Sequence, residues 1–284
     1  VGNFCFESDF RIVKTLFFQK DYSLALEWLK KNSENIDKKE FHYWRGRCLL
    51  NLEKYSDAKT EFETALKLNP DSADTHYRLS IIYKKQSDTR LWKQELDEAI
   101  RLHPTHAEAL KDSGVIFEES KSNLIKNWSF EEIPSQENNW DICGLLDKVV
   151  TKISRNNSFS GEKSLNITFV GGCPNYFHTS QKVNLEPGKK YRLSFLVMTD
   201  GLTGKRGIGI DMVSVKGNKH FCVSTKEILT SYFWQRVETE FRIPDGISAC
   251  IVRARRLGDE KSTERFGIIE GAAWIDNISL VKLD

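Results

Sequence analysis

The spacing of apolar residues changes near position 122. Before it, apolar residues recur every three or four positions, as in AKTEFETALKLNP and WKQELDEAIRLHP, and this period predicts amphipathic helices. After it, apolar and polar residues alternate: in KYRLSFLVM the side chains of Tyr191, Leu193 and Phe195 fall on one face, as in a half-buried antiparallel sheet. We therefore predict two domains, helices over residues 1–122 and an antiparallel β-sandwich of about eight or nine strands over residues 123–284.

The helical part contains an internal repeat. Pro70 and Pro104 each follow one of the two amphipathic runs and stand 34 positions apart, which is the period of the tetratricopeptide repeat (TPR). Residues at the consensus positions of that repeat are Gly46, Tyr55, Ala58, Phe62, Ala65, Leu79, Tyr83 and Ala99, with Tyr22 and Ala25 in an earlier, degenerate unit. The segment therefore resembles a short TPR α-solenoid. The run AEALKDSGVIFEES, with Gly114 and Phe117 in register, is predicted to be its capping helix.

The resemblance to TPR arrays implies an inner groove formed by the first helix of each pair. In this chain those helices carry a mixed aromatic and basic strip, formed by Tyr43, Arg47, Tyr77, Lys84 and Lys111. The resemblance implies that this strip binds an extended segment of a protein partner, and a strip that is merely solvated is the alternative. The strip lacks the lysine and asparagine set of the chaperone-binding clamp known in this family, so chaperone tails are not implied.

Five segments of the second half carry a second resemblance. They are NLIKNWSFEE, SFSGEKSLNI, QKVNLEPGKKYRLSF, WQRVETEFRIP and AWIDNISLVKL. Their order and spacing over residues 123–284 resemble the jelly-roll carbohydrate-binding modules of bacterial xylanases and cellulases. The resemblance implies a galactose-binding-like sandwich that binds a polysaccharide along a concave sheet or at its loops, without chemistry of its own. The alternative is a purely protein–protein adaptor whose sandwich binds no sugar.

Sugar binding requires a flat apolar surface for the pyranose ring and fixed hydrogen-bonding groups around it. Candidate residues of both kinds are Trp140, Tyr176, Phe177, His178, Gln181, Asp211, Arg253 and Arg255. The two arginines alternate with Val252 and Ala254, so we expect both on the face opposite the core. Such a pair suits the carboxylate of an acidic sugar, because the arginine fork meets a carboxylate in two parallel hydrogen bonds. A cross-strand salt bridge is the alternative.

The module resemblance also implies a structural calcium ion where the first and last strands meet. Its ligands would be the side chains of Glu131 and Asp276, with backbone carbonyls near Ser129 and Lys163, because calcium prefers about six to eight oxygens. The alternative is that the two acids only cap turns on the surface.

Composition gives no support to several other functions. A net charge of +2 without arginine-rich or lysine-rich runs argues against nucleic acid as a partner. No apolar stretch approaches the roughly 20 residues of a membrane span. The six cysteines include no C-x-x-C pair, which argues against zinc. Because G-x-S-x-G, H-E-x-x-H and phosphate-loop motifs are absent from the sequence, we expect no enzyme.

The pairing of the two domains favours a particular setting. TPR arrays are common scaffolds in polysaccharide synthesis and export, so we expect an adaptor in bacterial envelope or exopolysaccharide assembly. A periplasmic, extracellular or envelope-associated location is favoured. The chain begins with Val1 rather than methionine, and we expect it to be a fragment of a larger protein.

Overall fold

The computed structural model of this protein contains two units, Val1–Val115 and Ile116–Asp284. The residues it describes are 12–115, 122–132, 140–143, 145–146, 148–171, 175–215, 220–257 and 270–283. The division after residue 115 and the predicted boundary after residue 122 enclose residues 116–122, of which 116–121 lie outside the described ranges. The boundary after residue 122 therefore stays a prediction.

The first unit is built of helices, as the 3.6-residue period predicts. They are α1 (residues 12–18), α2 (Tyr22–Lys31), α3 (Lys38–Asn51), α4 (Tyr55–Leu68), α5 (Ala73–Lys85), α6 (Thr89–Leu102) and α7 (Ala107–Asp112). Helix α3 packs on α4, and α5 packs on α6. Gly46 of α3 lies against Phe62 of α4 so closely that a Cβ atom at position 46 would be 2.8 Å from the ring. The small residue at this repeat position therefore allows the two helices to approach.

Helix α7 is shorter than predicted. The sequence pattern predicted a helix through residue 120, but α7 ends at Asp112. The reason is a Schellman motif: Gly114 has a φ of +95°, and the N–H groups of Gly114 and Val115 donate to the carbonyls of Lys111 and Leu110 at 3.1 and 2.9 Å. Phe117, which the prediction placed on this helix, lies outside the described residues.

The second unit is an antiparallel β-sandwich, as predicted. The described strands are β1 (Trp140–Ile142), β2 (Leu145–Leu146), β3 (Val149–Ser154), β4 (Ser164–Val170), β5 (Tyr176–Asn184), β6 (Lys190–Asp200), β7 (Gly209–Ser214), β8 (Cys222–Ser224), β9 (Gln235–Arg242), β10 (Ala249–Arg256) and β11 (Glu270–Lys282). One sheet has the order β1-β5-β10-β7-β8, and the other has the order β2-β3-β4-β11-β6-β9. Several strands have only two or three residues, which explains why the alternation pattern predicted fewer.

The core lies between the two sheets. In the five-stranded sheet, Cys250, Val252 and Ala254 of β10 are buried in it, next to Val183 of β5 and Met212 of β7. The residues that alternate with them therefore lie on the outer face of this sheet.

Candidate functional site

The outer face of the five-stranded sheet carries a cross-strand ion pair. Arg253 of β10 lies directly opposite Asp211 of β7. Its Nε and Nη2 atoms donate to Oδ1 and Oδ2 of Asp211 at 2.6 and 3.0 Å, and this hydrogen bonding raises the pKa of Arg253. The guanidinium carbon also lies 4.4 Å from the centre of the Phe177 ring. A flat surface of ring and guanidinium is thus fixed on this face.

A second ion pair continues the first. Arg255 donates from Nη2 to Oε1 of Glu227 at 2.8 Å, and its Nε lies 3.7 Å from Oδ2 of Asp211. Glu227 also accepts two hydrogen bonds from Arg206, at 2.8 and 2.6 Å. Burial raises the pKa of Glu227, but the bonds and charge of Arg206 outweigh it, so the pKa is lowered. We call the five residues Arg253, Asp211, Arg255, Glu227 and Arg206 the outer-face network.

Two members of the outer-face network were missed by the sequence interpretation. Arg206 and Glu227 lie in connections between strands, where no alternation pattern operates. They meet because Ile208 and Ile228 exchange two backbone hydrogen bonds, at 2.9 and 2.8 Å. The close approach of these segments requires Gly207, where a Cβ atom would lie 2.4 Å from the backbone of Ile228.

Two of the predicted aromatic residues belong to the core instead. Trp140 is buried, its Nε1 donates to the carbonyl of Lys126 at 2.9 Å, and its ring packs on Phe130. Tyr176 is fully buried and its hydroxyl is hydrogen-bonded to those of Thr151 and Thr179. Neither ring presents a face to a ligand, which corrects the expectation that they form a sugar platform.

A bulge in β5 determines which of its side chains reach the outer face. The register shifts between the pairs Ala254–Thr179 and Arg256–Tyr176, so β5 carries one more residue than β10 there. Tyr176 therefore turns into the core and Phe177 contacts Arg253 outside it.

The other two predicted residues of β5 differ in exposure. His178 is exposed. Gln181 is buried, and its side chain accepts from the N–H of Lys126 at 2.8 Å and donates to the carbonyl of the same residue at 3.0 Å. Gln181 therefore anchors the first segment of the sandwich, which corrects its expected place in a sugar site.

Three of the four residues of the predicted calcium site, Glu131, Lys163 and Asp276, meet around the turn that precedes β4. Asp276 is fully buried and accepts from the N–H groups of Phe159, Ser160 and Asn277 at 2.9, 3.1 and 2.8 Å. Burial raises its pKa to about 7, the charge of Glu131 adds to this, and the three hydrogen bonds oppose it.

Glu131 approaches the same turn from the other side. Its Oε1 accepts from the N–H groups of Glu162 and Lys163, both at 2.9 Å. The ammonium group of Lys163 donates to the backbone carbonyl of Glu131. Ser129, two positions before Glu131, is buried. Within the described residues no group of three or more His, Cys, Asp and Glu side chains is arranged for a metal. An ion at this turn would therefore need backbone carbonyls beside the two carboxylates.

The predicted strip on the helices is only partly exposed. The guanidinium of Arg47 is buried over the rings of Phe17 and Trp44, at 4.4 and 4.7 Å, and Tyr77 is buried. Lys84 and Lys111 are exposed. Lys84 and Lys111 are therefore accessible, whereas Arg47 packs on aromatic rings.

A charged cluster that the sequence interpretation missed lies beside this strip. Asp74 of α5 is buried and accepts from Nη2 and Nε of Arg78 at 2.9 and 3.1 Å, and from the hydroxyl of Tyr43. His106, which caps α7 and is fully buried, lies 3.2 Å from the Asp74 carboxylate. Burial alone would raise the pKa of Asp74, but Arg78 and His106 hold it well below its usual range. The cluster joins α3, α5 and α7.

Comparison with known proteins agrees with this architecture. Residues 39–72 match the family model "Tetratricopeptide repeat", and residues 122–255 match "Carbohydrate binding domain". The chain therefore combines a helical unit that matches the TPR model with a β-sandwich that matches the carbohydrate-binding model.

Individual proteins resemble only parts of the chain. The human protein "Protein O-mannosyl-transferase TMTC3" is 32% identical over 85 residues, which are 30% of this chain and 9% of that protein. The solved structure "Family 16 Carbohydrate Binding Module-2" is 21% identical with a TM-score of 0.39, and the match covers 56% of this chain and 99% of that one. YrrB, described as "a TPR protein with an unusual peptide-binding site", is 24% identical with a TM-score of 0.35, over 39% of this chain and 58% of its own.

None of the helices in the described ranges is both long and apolar enough to cross a bilayer.

Proposed function

We propose that this protein is a non-catalytic adaptor, in which the sandwich binds a polysaccharide and the helical repeats bind a protein. The observation that carries the proposal is the outer-face network beside Phe177. Its side chains are already ordered by their mutual hydrogen bonds, so little side-chain freedom is lost when a sugar binds. Phe177 and the Arg253 guanidinium supply the flat surface that the CH face of a pyranose requires.

The polysaccharide proposal is tested with the full chain on a glycan array and by affinity electrophoresis in polysaccharide gels. We expect Phe177→Ala to weaken binding about fivefold or more, because one aromatic platform contributes about 1–3 kcal/mol to stacking interactions. Arg192→Gln is the matched control, since it alters an exposed ion pair with Glu240 on the other sheet. Unchanged binding by Phe177→Ala would place the site elsewhere. A folded chain that binds no glycan would favour the protein–protein adaptor.

We also propose a structural calcium ion at the turn of Glu131 and Asp276. The support is chemical: two carboxylates lie close enough to interact, and the buried one has a raised pKa that a nearby divalent cation would lower. Glu131 and Asp276 would hold the ion together with backbone carbonyls. The ion would fix the turn without taking part in any reaction.

The calcium proposal predicts a change in thermal stability. We expect calcium to raise the melting temperature of the chelator-treated chain more than magnesium does, because an ion bound only to the folded state stabilises it. Glu131→Gln should remove the calcium response. Glu186→Gln, which neutralises an exposed partner of Lys282, should keep it. An equal response to both ions would argue against the site.

The protein partner is proposed to contact the helices near Lys84 and Lys111, the exposed lysines of the predicted strip. Acidic peptides are first selected from a displayed library with the unmodified chain. We expect the double variant Lys84→Glu, Lys111→Glu to lose the ability to bind these peptides. Lys93→Glu, an exposed lysine of α6, is the control. The setting in bacterial envelope or exopolysaccharide assembly is part of this proposal. Cell fractionation tests it, and recovery of the protein only from the cytoplasm would contradict it.

A further inference from the structure

The outer-face network contains an excess of positive charge. It has three arginines and two carboxylates, which leaves one formal positive charge. Two other charged side chains of the same face, Asp141 on β1 and Lys182 on β5, cancel each other. Because Asp211 and Arg255 are both buried, solvent and salt screen the network less than an ordinary surface pair.

Arg255 lies between the two carboxylates of the network. It donates from Nη2 to Glu227 at 2.8 Å, whereas its buried Nε has no hydrogen-bond partner among the described residues. The nearest carboxylate oxygen to this Nε is Oδ2 of Asp211, at 3.7 Å. A small movement would therefore give Asp211 a charged donor from Arg255.

Arg253 is the arginine beside the Phe177 ring that an external anion can reach, while Arg206, at the other end of the network, has a side chain that is 42% exposed. The side chain of Arg253 is 26% exposed, against 11% for Arg255. The Nε and Nη2 atoms of Arg253 both donate to Asp211, and its guanidinium lies over Phe177 at the open side of the network.

We infer that the outer face selects an acidic polysaccharide by exchanging ion-pair partners. The carboxylate of a uronic acid unit takes over the fork of Arg253, and Asp211 turns to the Nε of Arg255. Arg253 exchanges its two charge-assisted hydrogen bonds to Asp211 for two to the ligand, Asp211 gains one from Arg255, and the excess positive charge is neutralised by the ligand. No covalent bond forms or breaks. The inference rests on the proposed polysaccharide-binding function and adds the class of polysaccharide.

The test compares polymers that differ only in charge. Polygalacturonate, alginate and hyaluronate are each titrated into the full chain beside their methyl-esterified forms, which keep the backbone and lose the carboxylates. We expect at least one free acid to bind about tenfold or more tightly than its ester. This preference should shrink as salt is added, because ion pairing at the exposed side of Arg253 is screened.

Variants assign the preference to the network. Arg253→Gln should reduce the affinity for the preferred acid to that of its ester. Arg192→Gln makes the same change of charge on the other sheet and should leave the preference intact. Because Arg253→Gln alone leaves Asp211 without its main partner, the double variant Asp211→Asn, Arg253→Gln is measured too. Circular dichroism establishes that each variant is folded.

The outcomes separate the two proposals. Equal binding of every acid and its ester, or binding of only neutral polymers on the glycan array, overturns the acidic-ligand inference and leaves the polysaccharide-binding function standing. A folded Asp211→Asn, Arg253→Gln variant that still prefers the acid also overturns it. Failure to bind any polymer, charged or neutral, contradicts the proposed function itself.

Discussion

Neutralising Asp74 should destabilise the helical unit strongly. Its carboxylate accepts two hydrogen bonds from Arg78 and one from Tyr43, and it faces the fully buried His106. Asp74→Asn leaves Arg78 without its main carboxylate partner inside the protein. Removing one partner of a buried ion pair costs about 3–5 kcal/mol, because the remaining charge stays desolvated. We therefore expect a loss of about 3 kcal/mol, seen as a lower urea midpoint of the helical signal in far-ultraviolet circular dichroism.

A matched ion pair on the neighbouring helix provides the control. Glu98 and Arg101 of α6 are linked by two hydrogen bonds, at 2.8 and 2.6 Å, but both side chains are exposed. Glu98→Gln removes the same charge from a bond of similar geometry. We expect it to change the midpoint far less, since water solvates the arginine that is left. If the two substitutions lower the midpoint equally, burial is not the cause and the reasoning about Asp74 fails.

Three further predictions concern the helices. Glu53 follows the C-cap of α3 and has a φ of +58°, so Glu53→Gly should stabilise the protein by about 0.5–1 kcal/mol, seen as a higher melting temperature. Gly46→Ala should lower the free energy of unfolding by about 1–3 kcal/mol because of the contact with Phe62, and adding Phe62→Leu should restore part of the loss. Burial lowers the pKa of His76, but its hydrogen bonds to Glu95 and to the Pro70 carbonyl, together with the charges of Glu95 and Glu98, outweigh this and the pKa is raised. Its contribution to stability should therefore be full below about pH 6.5 and disappear as the pH rises through the folded-state pKa, and urea titrations of His76→Gln should lack this dependence.

The helix pattern was predictable because each signal is local. The 34-residue period, the side-chain caps Asp37, Ser72 and Asp88 and the small residue at position 46 all act within one repeat. The end of α7 was misplaced because one local signal was overlooked. The prediction followed the repeat register past Gly114, whereas the local preference of glycine for positive φ ended the helix there.

The outer face was only partly predictable because it depends on register between distant strands. Alternation along β10 correctly separates its arginines from Val252, but the partner Asp211 is found only when β7 is aligned beside β10. The assignment of Tyr176 and Gln181 to a ligand surface failed for another reason. A single extra residue at the β5 bulge reverses the face on which the following side chains lie, and sequence alternation does not reveal it.

The contrast between the outer faces of the two sheets supports a ligand-binding role for one of them. On the six-stranded sheet the cross-strand pair of Arg192 and Glu240 is exposed, as expected for a pair that mainly maintains solubility. On the five-stranded sheet the carboxylate of Asp211 is almost completely buried beside two arginines. Burying charges costs desolvation energy that apolar packing would avoid, so fold stability alone does not favour this arrangement. A fixed array of charged donors and acceptors beside an aromatic ring is what recognition of a polar ligand requires.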